Sequence, residues 1–331
     1  MKTTGIIGAG SWGTALATVL AGKGINVKIW DIDERHLKSM EEHRENVDYL
    51  PGVPLNENID IVYNVEEALN SSDVVLFSAP AQHFRSALIS ALGHIKDDAL
   101  VINVAKGIEQ KSLLRMSEIA ADHIDMNRYV VLSGPSHAEE VGRRLPTTVA
   151  AASYNLDAAE KIQDLFMTDR FRVYTTEDVV GVELGGALKN IIALGAGISD
   201  GMGFGDNAKA ALMTRGLAEI TRLGIRLGAK PETFAGLTGT GDLIVTCTSM
   251  HSRNRRCGIM IGEGMAPDEA TKKVGMVVEG MFTTEAAYEL AKREHVEMPI
   301  TEAIYRAIKG EITAAQAVEL LMGRNKKHEL G

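Results

Sequence analysis

The pattern of hydrophobic and polar positions divides the chain into two parts of different character. Up to about residue 176, short apolar runs typical of β-strands alternate with helical patterns. The strand-like runs are 4–7, 26–30, 59–63, 73–79, 99–104, 129–133, 147–152 and 171–174. Strands that alternate with helices in this way predict a parallel sheet covered by helices on both faces.

The second part has an almost purely helical pattern. Helices are predicted at 179–198, 208–227, 252–262, 285–294 and 301–308, and two earlier ones at 14–22 and 157–166. We therefore place a domain boundary near Asp178, which gives an α/β domain of residues 1–178 and an all-α domain of residues 179–331. The charged tail at 324–329 is expected to be exposed.

The first predicted strand runs into a glycine-rich turn of the GxGxxG type. Gly8 permits the tight turn, Gly10 lets a pyrophosphate approach the backbone, and Gly13 lets the following helix pack on the strand. The N–H groups at the start of that helix point at the phosphates. Strand, glycines, helix and second strand together indicate a Rossmann-type dinucleotide-binding domain.

The end of the second predicted strand bears on the choice of dinucleotide. An acidic residue such as Asp33 in this position binds the adenosine ribose hydroxyls and repels a 2′-phosphate, which favours NAD over NADP. Arg35, His36 and Lys38 follow closely and would accommodate a phosphate. Both cofactors therefore stay open, and the alternative for Asp33 is a helix cap.

A single charge, Lys189, lies among the small and aliphatic side chains of segment 184–199. A buried charge is costly unless it is paired or its pKa shifts, and the pKa of lysine shifts readily. The segment thus indicates a lysine that exchanges a proton near neutral pH, with a surface-reaching lysine as the alternative. Asp242 follows a glycine-rich loop and would orient or discharge Lys189, unless it is an ordinary turn aspartate.

Two further places suit an anionic substrate. Ser252 precedes three arginines within 253–256, where a helix start and guanidinium groups form a compact anion site; the alternative is a solvated basic turn. Several strands end in small-residue segments, at 78–80, 105–107 and 133–138, and ligands bind at this edge of such sheets. Lys106 would there meet a substrate phosphate or hydroxyl, with a solvated loop lysine as the alternative.

Composition narrows the class of protein. The chain has 331 residues, of which 45% are apolar, and a net charge of -9 that disfavours broad binding to nucleic acid or anionic membranes. Its two cysteines have no nearby histidine pair, so we expect no metal site, no disulfide framework and a cytoplasmic location. The amino terminus has no features of a secretion signal. Segment 184–199 is shorter than the roughly 20 apolar residues that span a bilayer.

Several motifs in order resemble bacterial NAD(P)-dependent glycerol-3-phosphate dehydrogenases, from about Thr4 to Arg324. They are GAGSWGTALA, Lys106-Gly107, SGPS, GGALKNIIALGAGISDG, GTGDLIVTCTSMHSRNRR and EMPITEAIY. The resemblance implies a Rossmann-type domain followed by a 6-phosphogluconate dehydrogenase-like all-α C-terminal domain, usually in a homodimer. It also implies interconversion of sn-glycerol 3-phosphate and dihydroxyacetone phosphate with NAD or NADP, supplying glycerol 3-phosphate for phospholipids.

The resemblance also assigns roles to residues. Lys189 would accept the proton of the substrate alcohol and return it to the carbonyl in reverse, with Asp242 beside it. The substrate positions would be Lys106, Gly134, Ser136, Asn190, Asp242, Thr246, Ser252, Arg253 and Asn254. The cofactor positions would be Ser11, Trp12, Tyr49, Lys106, Ala138, Arg253, Val277 and Glu279, in addition to the glycine turn and Asp33. Ile32 stands where many members carry a basic residue or a histidine, which weakens the expectation of NADP binding.

The proposed base imposes a physical requirement. A free lysine with a pKa of about 10.4 is a poor base at pH 7, so burial and neighbouring positive charges must lower that pKa. Two other functions stay open on the sequence. One is a related two-domain dehydrogenase for a 3-hydroxyacid or 6-phosphogluconate; the other is a regulatory module that binds NAD(H) without turnover.

Overall fold

The computed structural model describes residues 3–326 and 328, and the first part of the chain forms one eight-stranded sheet. The strands are β1 (Thr3–Ile7), β2 (Asn26–Trp30), β3 (Ile59–Ile61), β4 (Val74–Phe77), β5 (Leu100–Asn103), β6 (Tyr129–Ser133), β7 (Thr147–Ala152) and β8 (Phe171–Thr176). Their order in the sheet is β3-β2-β1-β4-β5-β6-β7-β8. Each of the eight lies at a predicted strand-like run. The predicted exposed tail lies partly outside the described residues.

One pair of strands departs from the predicted parallel sheet. β6 and β7 are antiparallel, with Val131 opposite Ala152, whereas the other neighbours are parallel. The connection between them contains only the five-residue helix α6 (Ala138–Gly142). Because β7 begins at the edge where β6 ends, the connecting segment stays at that edge and does not cross a face of the sheet. Residues 134–146 therefore lie along the carboxyl ends of the parallel strands.

Helices follow most strands and then make up the rest of the chain. Besides α6, the first part has α1 (Ser11–Ala21), α2 (Glu34–His43), α3 (Val65–Leu69), α4 (Phe84–Ala91), α5 (Met116–Ala121) and α7 (Leu156–Phe166). The second part has α8 (Val179–Gly201), α9 (Asp206–Arg226), α10 (Pro231–Ala235), α11 (Asp242–Thr248), α12 (Arg253–Gly262), α13 (Pro267–Val274), α14 (Glu279–Arg293), α15 (Pro299–Ile308) and α16 (Ala314–Met322). No strand follows β8 among the described residues, as the pattern predicts.

Some helix boundaries differ from the predicted ones. Helix α1 begins at Ser11 and not at residue 14, because the end of the glycine turn is already helical. Helix α14 begins at Glu279, six residues before the predicted start. Its N-cap position, Val278, makes no side-chain cap, so the sequence carries no start signal there.

Both faces of the sheet are covered, as predicted. Ile6 and Ile7 are adjacent in β1, yet they belong to separate apolar clusters on opposite faces. Ile6 packs with Leu16 of α1, and Ile7 belongs to the same cluster as Phe84 of α4. A third cluster fills the helical part around α8.

Helix α8 is the central element of the helical part. It is three residues longer than predicted, and by length and composition alone it would cross a membrane. However, 94% of its most apolar window is buried inside the protein, so α8 is a core helix. Its burial on all sides explains why the pattern shows no polar face.

Glycines let α8 and α12 touch through their backbones. A Cβ atom added to Gly197 would lie 2.1 Å from the carbonyl oxygen of Arg255, and one added to Gly258 would lie 2.1 Å from that of Leu194. Gly201 makes a similar approach to Ile259. No side chain fits between the two helices at these points.

We predict that Gly258→Ala destabilises the protein, because the new methyl group collides with the backbone of α8. The expected loss in the free energy of unfolding is about 1–3 kcal/mol or more, measured by urea denaturation. Gly205→Ala is the matched control, since a Cβ there meets no atom within 4 Å. Equal stability of the two variants would contradict the close packing of α8 on α12.

Candidate active site

One carboxylate joins two lysines from different parts of the chain. The Nζ atom of Lys189 lies 2.7 Å from Oδ1 of Asp242, and the Nζ atom of Lys106 lies 2.7 Å from Oδ2. Lys106 follows β5, whereas Lys189 lies in α8 and Asp242 begins α11. The structure therefore brings together the three charged residues that the sequence singled out separately. The surface-reaching alternative for Lys189 is wrong.

Hydrogen bonds hold the two ammonium groups in defined positions. Lys189 also donates to Oγ1 of Thr246 at 2.6 Å, and Lys106 donates to the carbonyl oxygen of Gly134 at 2.9 Å. Lys106 lies 3.5 Å from Oγ of Ser136. An ammonium group has three donors, so among the described residues Lys189 keeps one N–H bond without a protein partner.

Burial and the neighbouring charges shift the pKa values of Lys189 and Asp242. Lys189 is 6% exposed and Asp242 is 1% exposed. Burial lowers the pKa of Lys189 to about 8; the attraction of Asp242 opposes the shift, and the charge of Lys106 adds to it. Burial acts to raise the pKa of Asp242, but the two lysines outweigh it and that pKa is lowered. The carboxylate stays ionised while Lys189 titrates near neutral pH.

Close backbone packing of the preceding turn places Asp242 beside the two lysines. The glycine-rich loop forms a π-helical turn over Leu237–Gly241 that runs directly into α11. A Cβ atom on Gly185 of α8 would lie 2.5 Å from the carbonyl oxygen of Thr238, and one on Gly239 would lie 2.0 Å from that of Phe234. These glycines let the turn rest on α8. Asp242 is therefore not an ordinary turn aspartate.

Ser252 is the N-cap residue of α12, and Arg253 is the first residue of that helix. The hydroxyl of Ser252 caps the helix by accepting from the backbone N–H of Arg255, as predicted. Burial lowers the pKa of the half-buried Arg253, and the charge of Glu279 opposes that shift. A guanidinium retains its charge even so.

The prediction that all three arginines form one anion site is wrong for Arg255. Its Nη2 atom lies 2.7 Å from Oδ2 of Asp200 in α8, and Nε also donates to that oxygen. Arg255 thus ties α12 to α8 and shares the carboxylate of Asp200 with Lys209. Arg253 and Arg256 remain for an anionic ligand, and the buried Nε atom of Arg256 has no protein partner among the described residues.

Two asparagines connect three helices behind the lysines. Nδ2 of Asn254 donates to Oδ1 of Asn190 at 2.9 Å, and Oδ1 of Asn254 accepts from the N–H of Gly280 at 2.8 Å. Asn190 in turn reaches the carbonyl oxygen of Lys106 at 3.4 Å. Both side chains are used to fix α8, α12 and α14, which places the predicted substrate residues on a rigid frame.

The glycine turn is tightly folded and leaves open space in front of one of its glycines. Gly8 has φ +107°, which favours glycine, and a Cβ atom on Gly13 would lie 2.1 Å from the carbonyl oxygen of Gly8. A Cβ atom on Gly10 would meet nothing within 4 Å, so space is open in front of it. Turn, close helix packing and open space agree with the roles predicted for the three glycines.

Several buried polar atoms have no protein partner among the described residues, and two of them belong to the glycine turn and to the first residue of α14. They are Nε1 of Trp12 and Oε2 of Glu279. The other carboxylate oxygen of Glu279 accepts from the N–H of Ala81 at 3.0 Å, which joins α14 to the end of β4. Buried polar atoms left in this way fit a ligand that supplies their hydrogen bonds, as a dinucleotide can.

The remaining predicted cofactor positions lie in four different segments of the chain. Ser11 begins α1, Ala138 begins α6, and Val277 lies just before α14. The ring of Tyr49 contacts the ring of His36 edge to face, with centroids 4.8 Å apart. None of these contacts shows a cofactor role, so these assignments stay predictions.

The end of β2 is less basic in the structure than its sequence suggests. His36 is buried and held by the carbonyl oxygen of Ala9 and by Asp48, and Lys38 pairs with Glu34 at 2.8 Å. Arg35 is almost fully exposed. The Nε atom of Arg35 lies 3.9 Å from Oδ1 of Asp33, so each of the three basic residues lies beside a carboxylate.

Asp33 acts as a helix cap, and a neighbouring acid contacts the glycine turn. Oδ1 of Asp33 accepts from the N–H groups of Arg35 and His36 at the start of α2. Oδ2 of Asp31 accepts from the N–H of Ala9 at 2.7 Å. Asp31 directly follows β2, so it matches the sequence signal for a ribose-binding acid as well as Asp33 does. A ribose contact by Asp33 stays a prediction.

A Rossmann sheet with a glycine-rich turn, together with a buried lysine whose pKa is lowered to about 8, is typical of a nucleotide-dependent dehydrogenase. Comparison with protein families specifies it further. The description "NAD-dependent glycerol-3-phosphate dehydrogenase N-terminus" matches residues 3–159, and the corresponding C-terminus description matches residues 178–319. The chain belongs to the NAD-dependent glycerol-3-phosphate dehydrogenase family.

Individual relatives agree along the whole chain. A protein of Pelotomaculum thermopropionicum named glycerol-3-phosphate dehydrogenase [NAD(P)+] is 55% identical over 98% of this chain and 94% of its own length. The Bacillus subtilis protein of that name is 52% identical, covering 100% of this chain and 96% of its own. The crystal structure of a Coxiella burnetii glycerol-3-phosphate dehydrogenase superposes with a TM-score of 0.94 at 38% identity, covering 98% and 99% of the two chains.

Proposed function

We propose that this chain is a glycerol-3-phosphate dehydrogenase that interconverts sn-glycerol 3-phosphate and dihydroxyacetone phosphate with NAD or NADP. The observation that carries the proposal is the buried Lys189, paired with Asp242 and Lys106 at the carboxyl edge of a Rossmann sheet. A base near neutral pH is what oxidation of an alcohol requires. The two relatives described above carry the name of an enzyme that acts on this substrate.

Lys189 is the proposed general base and acid. In oxidation its neutral amine takes the proton of the carbinol hydroxyl, and in reduction its ammonium group returns a proton to the carbonyl oxygen. The bound nicotinamide supplies the hydride acceptor or donor. With a pKa of about 8, Lys189 has both protonation states populated near neutrality.

Asp242 and Lys106 complete the electrostatics. One carboxylate between two ammonium groups leaves a formal charge of about +1 in a buried place, and this charge stabilises a developing alkoxide. Thr246 and Asn190 would complete the polar wall around the substrate. Asp242 fixes Lys189 in the orientation that the proton transfer needs.

The proposed phosphate site combines both parts of the chain. Arg253, Ser252 and Asn254 at the start of α12 would bind the substrate phosphate from the helical part. Gly134 and Ser136 would bind it from the segment after β6, with Lys106 between them. Binding energy at the phosphate then positions the carbinol carbon at the reacting centre.

Several properties of the whole protein are also proposals. We propose domains of residues 1–178 and 179–331, supported by the end of β8 at Thr176 and by Asp178, which caps α8. A homodimer, a cytoplasmic location and a role in supplying glycerol 3-phosphate for phospholipids rest on the family resemblance. We propose no nucleic-acid partner and no membrane insertion, in keeping with the net charge of -9.

An assay of dihydroxyacetone phosphate reduction with NADH and NADPH side by side tests the proposed function. We expect turnover with both cofactors and a lower KM for NADH, because Asp31 and Asp33 repel a 2′-phosphate and the exposed Ile32 offers it no charge. Arg35, the exposed cation at this edge, is offset by Asp33. The reaction of purified wild-type protein is followed by the loss of absorbance of the reduced cofactor at 340 nm. Cofactor binding without turnover would identify a nucleotide-sensing module and overturn the proposal.

We predict that Lys189→Ala lowers turnover by about 10²-fold or more while NADH still binds, because the proton donor and acceptor is lost. In the wild type, kcat/KM for glycerol 3-phosphate should rise with pH through about 8, since the base must be neutral. In reduction, kcat/KM should fall over the same range, since the acid must be protonated. Near-normal turnover of the variant would end the proposed role.

We predict that Arg253→Ala mainly weakens substrate binding. The expected cost is about 2 to 5 kcal/mol in apparent affinity for glycerol 3-phosphate, because the partner phosphate loses a partly buried cation. Arg255→Ala is the matched control on the same helix; it should lower thermal stability through the lost Asp200 pair and leave KM within about twofold. A normal KM in Arg253→Ala would refute the assignment.

A further inference from the structure

Two histidines outside the proposed site connect its two phosphate-binding segments. His137 follows Ser136 directly, and His251 precedes Ser252 directly. Their rings lie 5.7 Å apart, centroid to centroid, at an interplanar angle of 51°. Of the ring pairs among the described residues, this is the one that joins the sheet-forming part to the helical part.

Two more contacts run between the same segments. Nε2 of His137 lies 3.5 Å from the carbonyl oxygen of Val245 in α11, and Nδ1 of His251 lies 3.9 Å from Oε1 of Glu139 in α6. Val245 directly precedes Thr246, the hydroxyl partner of Lys189. The contacts thus cross the junction in both directions beside the proposed substrate position.

The protonation state of His137 suits a structural contact. Burial lowers its pKa, and the charge of Lys189 lowers it further, although Glu139, Asp242 and the carbonyl of Val245 oppose the shift. A neutral imidazole carries one N–H, and its donation to the Val245 carbonyl places that hydrogen on Nε2. His137 therefore adds a hydrogen bond between the two parts without adding a charge.

We propose that His137 and His251 form a clasp that sets the separation of Ser136 and Ser252, and so the width of the substrate phosphate site. The inference rests on the proposed function. Both histidines are positioning residues, since they act through their sequence neighbours and not on the reacting atoms. When two separate parts of the chain bind one phosphate, the distance between those parts must be fixed.

The clasp predicts that a variant loses activity only with a substrate that carries a phosphate. In His137→Ala, kcat/KM for dihydroxyacetone phosphate should fall about tenfold, roughly the effect of one positioning hydrogen bond, and mainly through KM. The small kcat/KM for unphosphorylated dihydroxyacetone should not change. His251→Ala should behave alike, and His137→Gln should recover part of the loss because its amide is again a donor.

Controls separate the clasp from general destabilisation. His123→Ala, at an exposed turn after α5, should leave the kinetics with both substrates unaffected. NADH affinity should be unchanged in every variant, and every variant should be folded at the assay temperature. An equal fall for both substrates would show general loss of structure and overturn the clasp. No change for either substrate would overturn it as well.

A binding measurement distinguishes this inference from the proposed function. Calorimetry of inorganic phosphate with the NADH-bound protein reports the site without turnover, and its affinity should fall about tenfold in His137→Ala. Suppose that the wild type does not reduce dihydroxyacetone phosphate but that phosphate binding is weaker in His137→Ala. That result would support the clasp and reject the proposed function. Unweakened phosphate binding in an active enzyme would reject the clasp alone.

Discussion

The structure depends on one carboxylate shared between two ammonium groups in a place that water barely reaches. Asp242 lies 2.7 Å from both Lys106 and Lys189, and these residues come from different parts of the chain. Removing the carboxylate would leave two like charges buried together, which is strongly unfavourable. The contact therefore holds the helical part against the sheet edge, while burial lowers the pKa of Lys189 and the attraction of Asp242 limits that shift.

That arrangement explains why α8 is built from small and aliphatic residues. Aliphatic side chains keep Lys189 dry, which lowers its pKa, and glycines let three other segments approach the helix. Gly185 accommodates the turn before Asp242, Gly186 faces Ser133 at the end of β6, and Gly197 touches the backbone of α12. A helix of this composition costs stability in isolation, since glycine is a poor helix former. Packing on all sides offsets that cost.

Much of this could be predicted from the sequence, because the signals are local. The glycine turn, the strand runs and a lone charge in an apolar helix are each readable in one segment. The contact between Lys106 and Asp242 joins residues 136 positions apart, so no local pattern contains it. The pairing of Arg255 with Asp200 depends on how α12 packs on α8, which the spacing of charges does not specify. The antiparallel β7 depends on a connection that stays at one edge of the sheet.

The protein's own groups fix the electrostatic arrangement. Lys106 and Lys189 have hydrogen-bond partners in Asp242, Gly134 and Thr246, which hold both ammonium groups in position. Fixed dipoles and charges stabilise a transition state more than mobile ones do, because the cost of ordering them falls on folding and not on catalysis. A chain with a net charge of -9 can in this way hold a local positive charge where an anionic substrate reacts.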